Sequence, residues 1–157
     1  MKDMELIPYR DVILVKKSKS FWGAVVKKFL RSEYLHSEYV VDTWLTFGTD
    51  LSRPANIHPF GYRRGDIDIF RYQWEISSLQ ESIIVEELQK ATALGYDWKE
   101  ALCIGFGKKC RGKGRRYICI SVILHAMEKA GMLPENTYKT YRDFRIFSDS
   151  GYFKKVL

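Results

Sequence analysis

Apolar residues along the chain alternate between a spacing of two and a spacing near 3.6, and these changes of period divide it into strands and helices. Asp11 to Val15 (Asp-Val-Ile-Leu-Val) is a β-branched run that predicts a short buried strand. Ser20 is placed to N-cap a helix over residues 21–31, where Phe21, Val25, Phe29 and Trp22, Val26, Leu30 recur at helical spacing. Ser37 to Val41 returns to a strand, which His36 begins, and Trp44 to Phe47 offers it a partner. Arg53 to Pro59, with a proline near each end, has the composition of turn and edge material. Gly65-Asp66 then leads into Ile67 to Tyr72, whose alternation suits a sheet with one wet face.

In the second half the helical spacing dominates. Ser78 and Glu81 form a capping-box pattern ahead of a helix to Ala93, stopped by Gly95. Trp98 to Ile104 predicts a shorter helix, and Cys119 to Gly131 another, ended by Gly131 and Pro134. The tail carries Tyr141, Phe144, Ile146, Phe147, Tyr152 and Phe153, which predicts packing on the body without specifying a conformation. The pattern as a whole predicts one α+β domain over residues 1–157, an antiparallel sheet with helices on one side.

Composition narrows the class. At 157 residues, with 46% hydrophobic and 29% charged content, the chain can bury a sizeable core without staples. No apolar run approaches the roughly 18 residues that a membrane span needs. Met1 to Glu5 has acidic residues and no apolar stretch of the signal-peptide kind, so a cytoplasmic location is expected. Three cysteines, Cys103, Cys110 and Cys119, fit a reducing compartment and argue against a disulfide framework. The net charge of +7 is spread over Lys16 to Arg31, Arg63-Arg64 and the stretch Lys108 to Arg116. A solvated basic surface explains it; polyanion contact through Lys108 to Arg116 is the sharper alternative.

Cys119 is the leading candidate for chemistry. A thiol at a helix N-terminus behind a cationic loop is favoured as the nucleophilic thiolate, because unsatisfied N–H groups and the positive dipole end both stabilise the anion. A cysteine nucleophile needs a base, and the chain has three histidines. His125 lies six residues further along the same helix and points to a different face, while His58 sits between Ile57 and Pro59 and has the setting of a surface residue. His36, at a strand edge, is the best placed. Metal binding is not expected, because Cys103, Cys110, Cys119 and His125 lack the close spacing of zinc knuckles.

Five segments then carry a resemblance. Asp-Val-Ile-Leu-Val, Ser-Phe-Trp-Gly-Ala-Val-Val-Lys-Lys-Phe and Ser-Glu-Tyr-Leu-His36-Ser-Glu-Tyr-Val-Val resemble the opening of the permuted papain-like amidases, the YiiX/YaeF-type relatives of the NlpC cell-wall peptidases. Gly95-Tyr96-Asp97-Trp98 is similar to that family's Gly-x-x-Tyr-Asp segment, and Cys119 to Gly131 to its cysteine helix, with the glycine in register. The resemblance spans roughly residues 10 to 134. It implies a circularly permuted papain-like fold, with Cys119 as nucleophile, His36 as base and Tyr96 near the substrate.

Two positions depart from the family pattern. Ile120-Ser121 stands where Ser-Glu is usual, and the strand after the histidine strand, where a glutamate is often the third polar residue, offers only Thr46, Thr49 or Asp50. Thr46 is the first choice to orient His36. The expected activity is hydrolysis of an amide or ester bond in a peptide, a peptidoglycan stem or a lipid amide, without a cofactor; a phage or viral member would act in the host cytoplasm. The alternative is an inactive papain-like fold that binds nucleic acid or an acidic partner through its basic surface.

Overall fold

The computed structural model describes residues 10–17, 27–28, 32–50, 53–61, 63–92, 94–106, 118–137 and 144–157. Five strands come first: β1 (Val12–Val15), β2 (His36–Asp42), β3 (Leu45–Asp50), β4 (Arg53–Pro59) and β5 (Ile67–Tyr72). Helices α1 (Ser78–Ala91), α2 (Trp98–Gly105), α3 (Cys119–Lys129) and α4 (Arg145–Asp149) follow, and β6 (Phe153–Lys155) closes the order. Of the helix expected over residues 21–31, only Lys27 and Lys28 fall among the described residues, and both are helical.

The strands form a six-stranded antiparallel sheet in the order β4-β3-β2-β1-β5-β6. β1 lies inside the sheet, between β2 and β5. Its four consecutive apolar residues are all buried because each face meets a different core. Val12 and Leu14 join the large cluster that contains the α3 side chains, while Ile13 and Val15 join Val40, Ile67 and Ile69 on the other face. The tail contributes α4 and β6, with Phe147 packed on Phe153 at a ring separation of 4.8 Å and on Phe70 at 5.8 Å.

Several sequence expectations shift in detail. Of the turn and edge character expected for Arg53 to Pro59, the edge holds: it is an edge strand, since β3 supplies hydrogen-bond partners along its length and an edge tolerates Pro54 and Pro59. The α1 cap is Ser77, one residue earlier than expected; its hydroxyl accepts from the Gln80 N–H at 3.2 Å while the Gln80 side chain accepts from the Ser77 N–H at 3.0 Å. α3 ends in a Schellman turn: Gly131 takes φ +67°, its N–H donates to Glu128, and the Met132 N–H donates to Met127. Cys103 is disulfide-bonded, against the expectation of reduced thiols throughout, and Cys119 is free.

Candidate active site

The site forms where the start of α3 meets the start of β2. α3 begins at Cys119, with Ile118 as its N-cap residue; an isoleucine side chain cannot cap, and the Ser121 hydroxyl accepts from the Ile118 N–H at 3.0 Å instead. Ser121 therefore fixes the backbone just ahead of the thiol. Cys119 is 5% exposed and belongs to the main core. Its sulfur lies beside the His36 ring and Ser37, the first two residues of β2, close enough for both to act on its ionisation.

Strand alternation sets the next contact. His36 and Glu38 are two residues apart on β2 and so share a face. His36 Nε2 lies 3.1 Å from Glu38 Oε1, which leaves Nδ1 as the ring nitrogen available to the thiol. The Glu38 side chain is completely buried. Its second oxygen accepts from Thr46 Oγ1 at 2.6 Å, across the β2–β3 ladder in which Thr46 faces Val40. His58, which faces Thr46 from β4, brings its Nε2 within 3.2 Å of Glu38 Oε1. Gly48 makes the room: a Cβ there would stand 2.9 Å from Glu38 Cγ and 3.1 Å from His36 Nε2.

These contacts move the ionisations together. Burial opposes a charge on His36, but hydrogen bonds to Cys119 and Glu38 and their negative charge outweigh it and push its pKa up to about 10. Burial also opposes the Cys119 thiolate, and the neighbouring His36 overcomes that, with a smaller contribution from Ser37, holding the thiol below its ordinary range. For Glu38 the cost of burial is outweighed by donors from His36, His58 and Thr46, so its carboxyl sits far below the usual carboxylate range. Each shift favours the charged form of its group: imidazolium on His36, thiolate on Cys119 and carboxylate on Glu38.

Of the residues singled out in the sequence, Cys119 and His36 are brought together directly. Thr46 reaches His36 only through Glu38. Tyr96 is half-buried and packs against the core cluster that contains Cys119. His125 Nε2 pairs instead with Glu87 Oε2 on α1 at 3.6 Å. The basic stretch Lys108 to Arg116 lies outside the described residues. Glu38 and His58 escaped the sequence reading: the glutamate was sought on the strand after His36, whereas it stands on the same strand. Period-two spacing in His36-Ser37-Glu38 was the available signal for Glu38. For His58, which looked like a surface residue, the signal emerges only once β4 is known to pair with β3.

No protein-family model matches the chain, and no curated protein matches it. Among solved structures, the crystal structure of the metalloprotein yiiX from Escherichia coli O157:H7 is similar over 95% of this chain and 96% of that chain, with a TM-score of 0.66 and 12% identity. The chain therefore has a YiiX-like α+β fold. Among the described residues, no helix is long and apolar enough to cross a membrane.

Proposed function

We propose that the chain is a cysteine hydrolase of the permuted papain-like class, cleaving an amide or ester bond. The single observation behind this is the buried series Cys119–His36–Glu38, in which His36 lies beside the thiol and bonds Glu38 at 3.1 Å, with Thr46 supporting the carboxylate. In the proposed reaction the Cys119 thiolate attacks the substrate carbonyl carbon, and the carbonyl electron pair moves to the oxygen. Backbone N–H groups of the first turn of α3, which have no acceptor within the helix, stabilise that oxyanion. His36 delivers its proton to the departing amine or alcohol, leaving a thioester on Cys119. It then takes a proton from the water that hydrolyses the thioester, and the thiolate and imidazolium return. Glu38 keeps Nε2–H directed at itself, which fixes the ring with Nδ1 toward sulfur; Thr46 holds Glu38. Tyr96 is proposed to contact substrate, on the family resemblance alone.

The similar E. coli protein is described as a metalloprotein. Among the described residues, no group of three or more His, Cys, Asp or Glu side chains is arranged to hold an ion. His36 and His58 both turn Nε2 toward the Glu38 carboxylate, a geometry in which a proton rather than a metal joins each pair. The donor set does not fit a metal.

Acyl-enzyme trapping tests the proposal. On incubation with a p-nitrophenyl ester, the intact protein should gain one acyl group on Cys119 with stoichiometric release of nitrophenol, observed by mass spectrometry. His36→Ala should acylate far more slowly and Cys119→Ser should lose the modification. Wild-type protein that remains unacylated, or that is acylated equally fast after His36→Ala, would show that the pair does no nucleophilic chemistry.

A further inference from the structure

We infer that His58 is a positioning residue of the Cys119–His36 pair, acting through Glu38 by sharing the carboxylate oxygen that holds His36. The inference rests on the cysteine-hydrolase reading above and adds a component that lies two strands away from the nucleophile's partner. His58 Nε2 is 3.2 Å from Glu38 Oε1 and His36 Nε2 is 3.1 Å from the same oxygen, so one lone-pair-bearing atom faces both imidazoles. Thr46 occupies the other oxygen. The carboxylate side chain is completely buried, and His58 itself is only 20% exposed, so water screens these contacts weakly.

The second ring nitrogen of His58 also meets an acceptor: Nδ1 is 3.3 Å from the Pro59 carbonyl oxygen. A histidine that faces oxygen acceptors from both nitrogens can donate to both only as the imidazolium. With His58 charged, the cluster holds two cations, His36 and His58, and two anions, Cys119 and Glu38.

This arrangement has a consequence for turnover. A carboxylate whose field falls on one imidazolium alone holds that proton tightly, and a tightly held proton is slow to reach a leaving group. Sharing Oε1 with His58 divides the pull. It also supplies a second donor that fixes the carboxylate in the plane where His36 can use it. His58 is thus a setting on how readily His36 gives up its proton, made by a strand that carries none of the reacting atoms.

The test is the pH profile of iodoacetamide alkylation at Cys119, read in wild type, His58→Leu, His58→Gln, Glu38→Gln and the His58→Leu/Glu38→Gln double variant. In wild type the rate should be level through neutral pH and rise again where His36 loses its proton. In His58→Leu that upper transition should move up by as much as about one pH unit, less than the 1–3 units a directly opposed charge gives, with slower ester turnover at neutral pH. His58→Gln keeps a donor to Glu38 and should recover part of the turnover. In the Glu38→Gln background, His58→Leu should add nothing, because its effect passes through that carboxylate. A folded His58→Leu protein whose profile overlays wild type overturns the inference while the hydrolase reading stands, as does a shift that persists undiminished with Glu38→Gln. A wild-type rate that climbs tenfold per pH unit up to the ordinary thiol range overturns both.

Discussion

Gly48→Ala is a one-carbon perturbation aimed at the least tolerant point of the site. Its added Cβ would lie 2.9 Å from Glu38 Cγ and 3.1 Å from His36 Nε2. Ordinary contact begins near 3.4 Å, so the carboxylate stem must yield about 0.5 Å and the ring about 0.3 Å, or β3 must move. Neither side chain can yield alone, since a 3.1 Å hydrogen bond joins them, and a shift of β3 would pull its own Phe47 and Thr49 out of their buried packing. Overpacking of this kind costs about 1–3 kcal/mol, and each kcal/mol lowers the melting temperature by about 2–4 °C in a domain of this size. The larger effect should be chemical. An ordinary cysteine with a pKa near 8.5 is only about 1% thiolate at pH 6.5, and its alkylation rate rises tenfold per pH unit below that pKa. The paired thiolate instead gives a level profile. The slope is the safer readout than the rate at one pH, because a lower pKa also makes the sulfur intrinsically less nucleophilic. Gly48→Ala should convert the level profile between pH 5 and 8 into a rising one, while Gly61→Ala, whose Cβ meets nothing within 4 Å, should change neither profile nor stability. A stable Gly48→Ala protein with a level profile would refute the idea that Gly48 makes room for a working His36–Glu38 pair.

Three further expectations follow from the same contacts. Glu38 titrates below its unfolded value, so its stabilising contribution is present above the ordinary pKa of 4.5 and is lost as pH falls through the folded value. Denaturation midpoints measured below pH 4.5 should therefore decline less steeply for Glu38→Gln than for wild type. Thr46→Val removes the donor to Glu38 Oε2 and leaves a buried carboxylate oxygen short of a partner, at a cost of about 1–3 kcal/mol that should appear as a lower urea midpoint with an unchanged slope. Ser77→Ala breaks the reciprocal cap of α1 and should lower stability by about 1 kcal/mol while leaving Cys119 alkylation untouched, since α1 contributes no group to the site.

The elements that local pattern controls were legible in the sequence, and the contacts that depend on pairing were not. The run Val-Ile-Leu-Val announced a strand buried on both faces, and the thiol at the start of a glycine-ended helix announced Cys119. Ser77 rather than Ser78 caps α1 because the reach to Gln80 decides between adjacent serines, and pattern alone does not see that reach. Arg53 to Pro59 resembled turn and edge material because prolines weaken a strand pattern, although an edge position removes the objection. That ambiguity hid His58, whose meaning depends on the register that places it opposite Thr46. Glu38 was hidden differently: the third polar group was sought on the neighbouring strand, whereas alternation along β2 already puts it beside His36.

The central claim, that Cys119 and His36 rest as a thiolate–imidazolium pair, is tested most directly by NMR titration of the His36 ring nitrogens. The ring should carry both protons throughout the neutral range and lose one near pH 10 in wild type, and its pKa should drop sharply in Cys119→Ala, where the neighbouring anion is gone. A His36 ring that titrates near 6.5 in wild type and is unmoved by Cys119→Ala would contradict the pair and, with it, the proposed hydrolase.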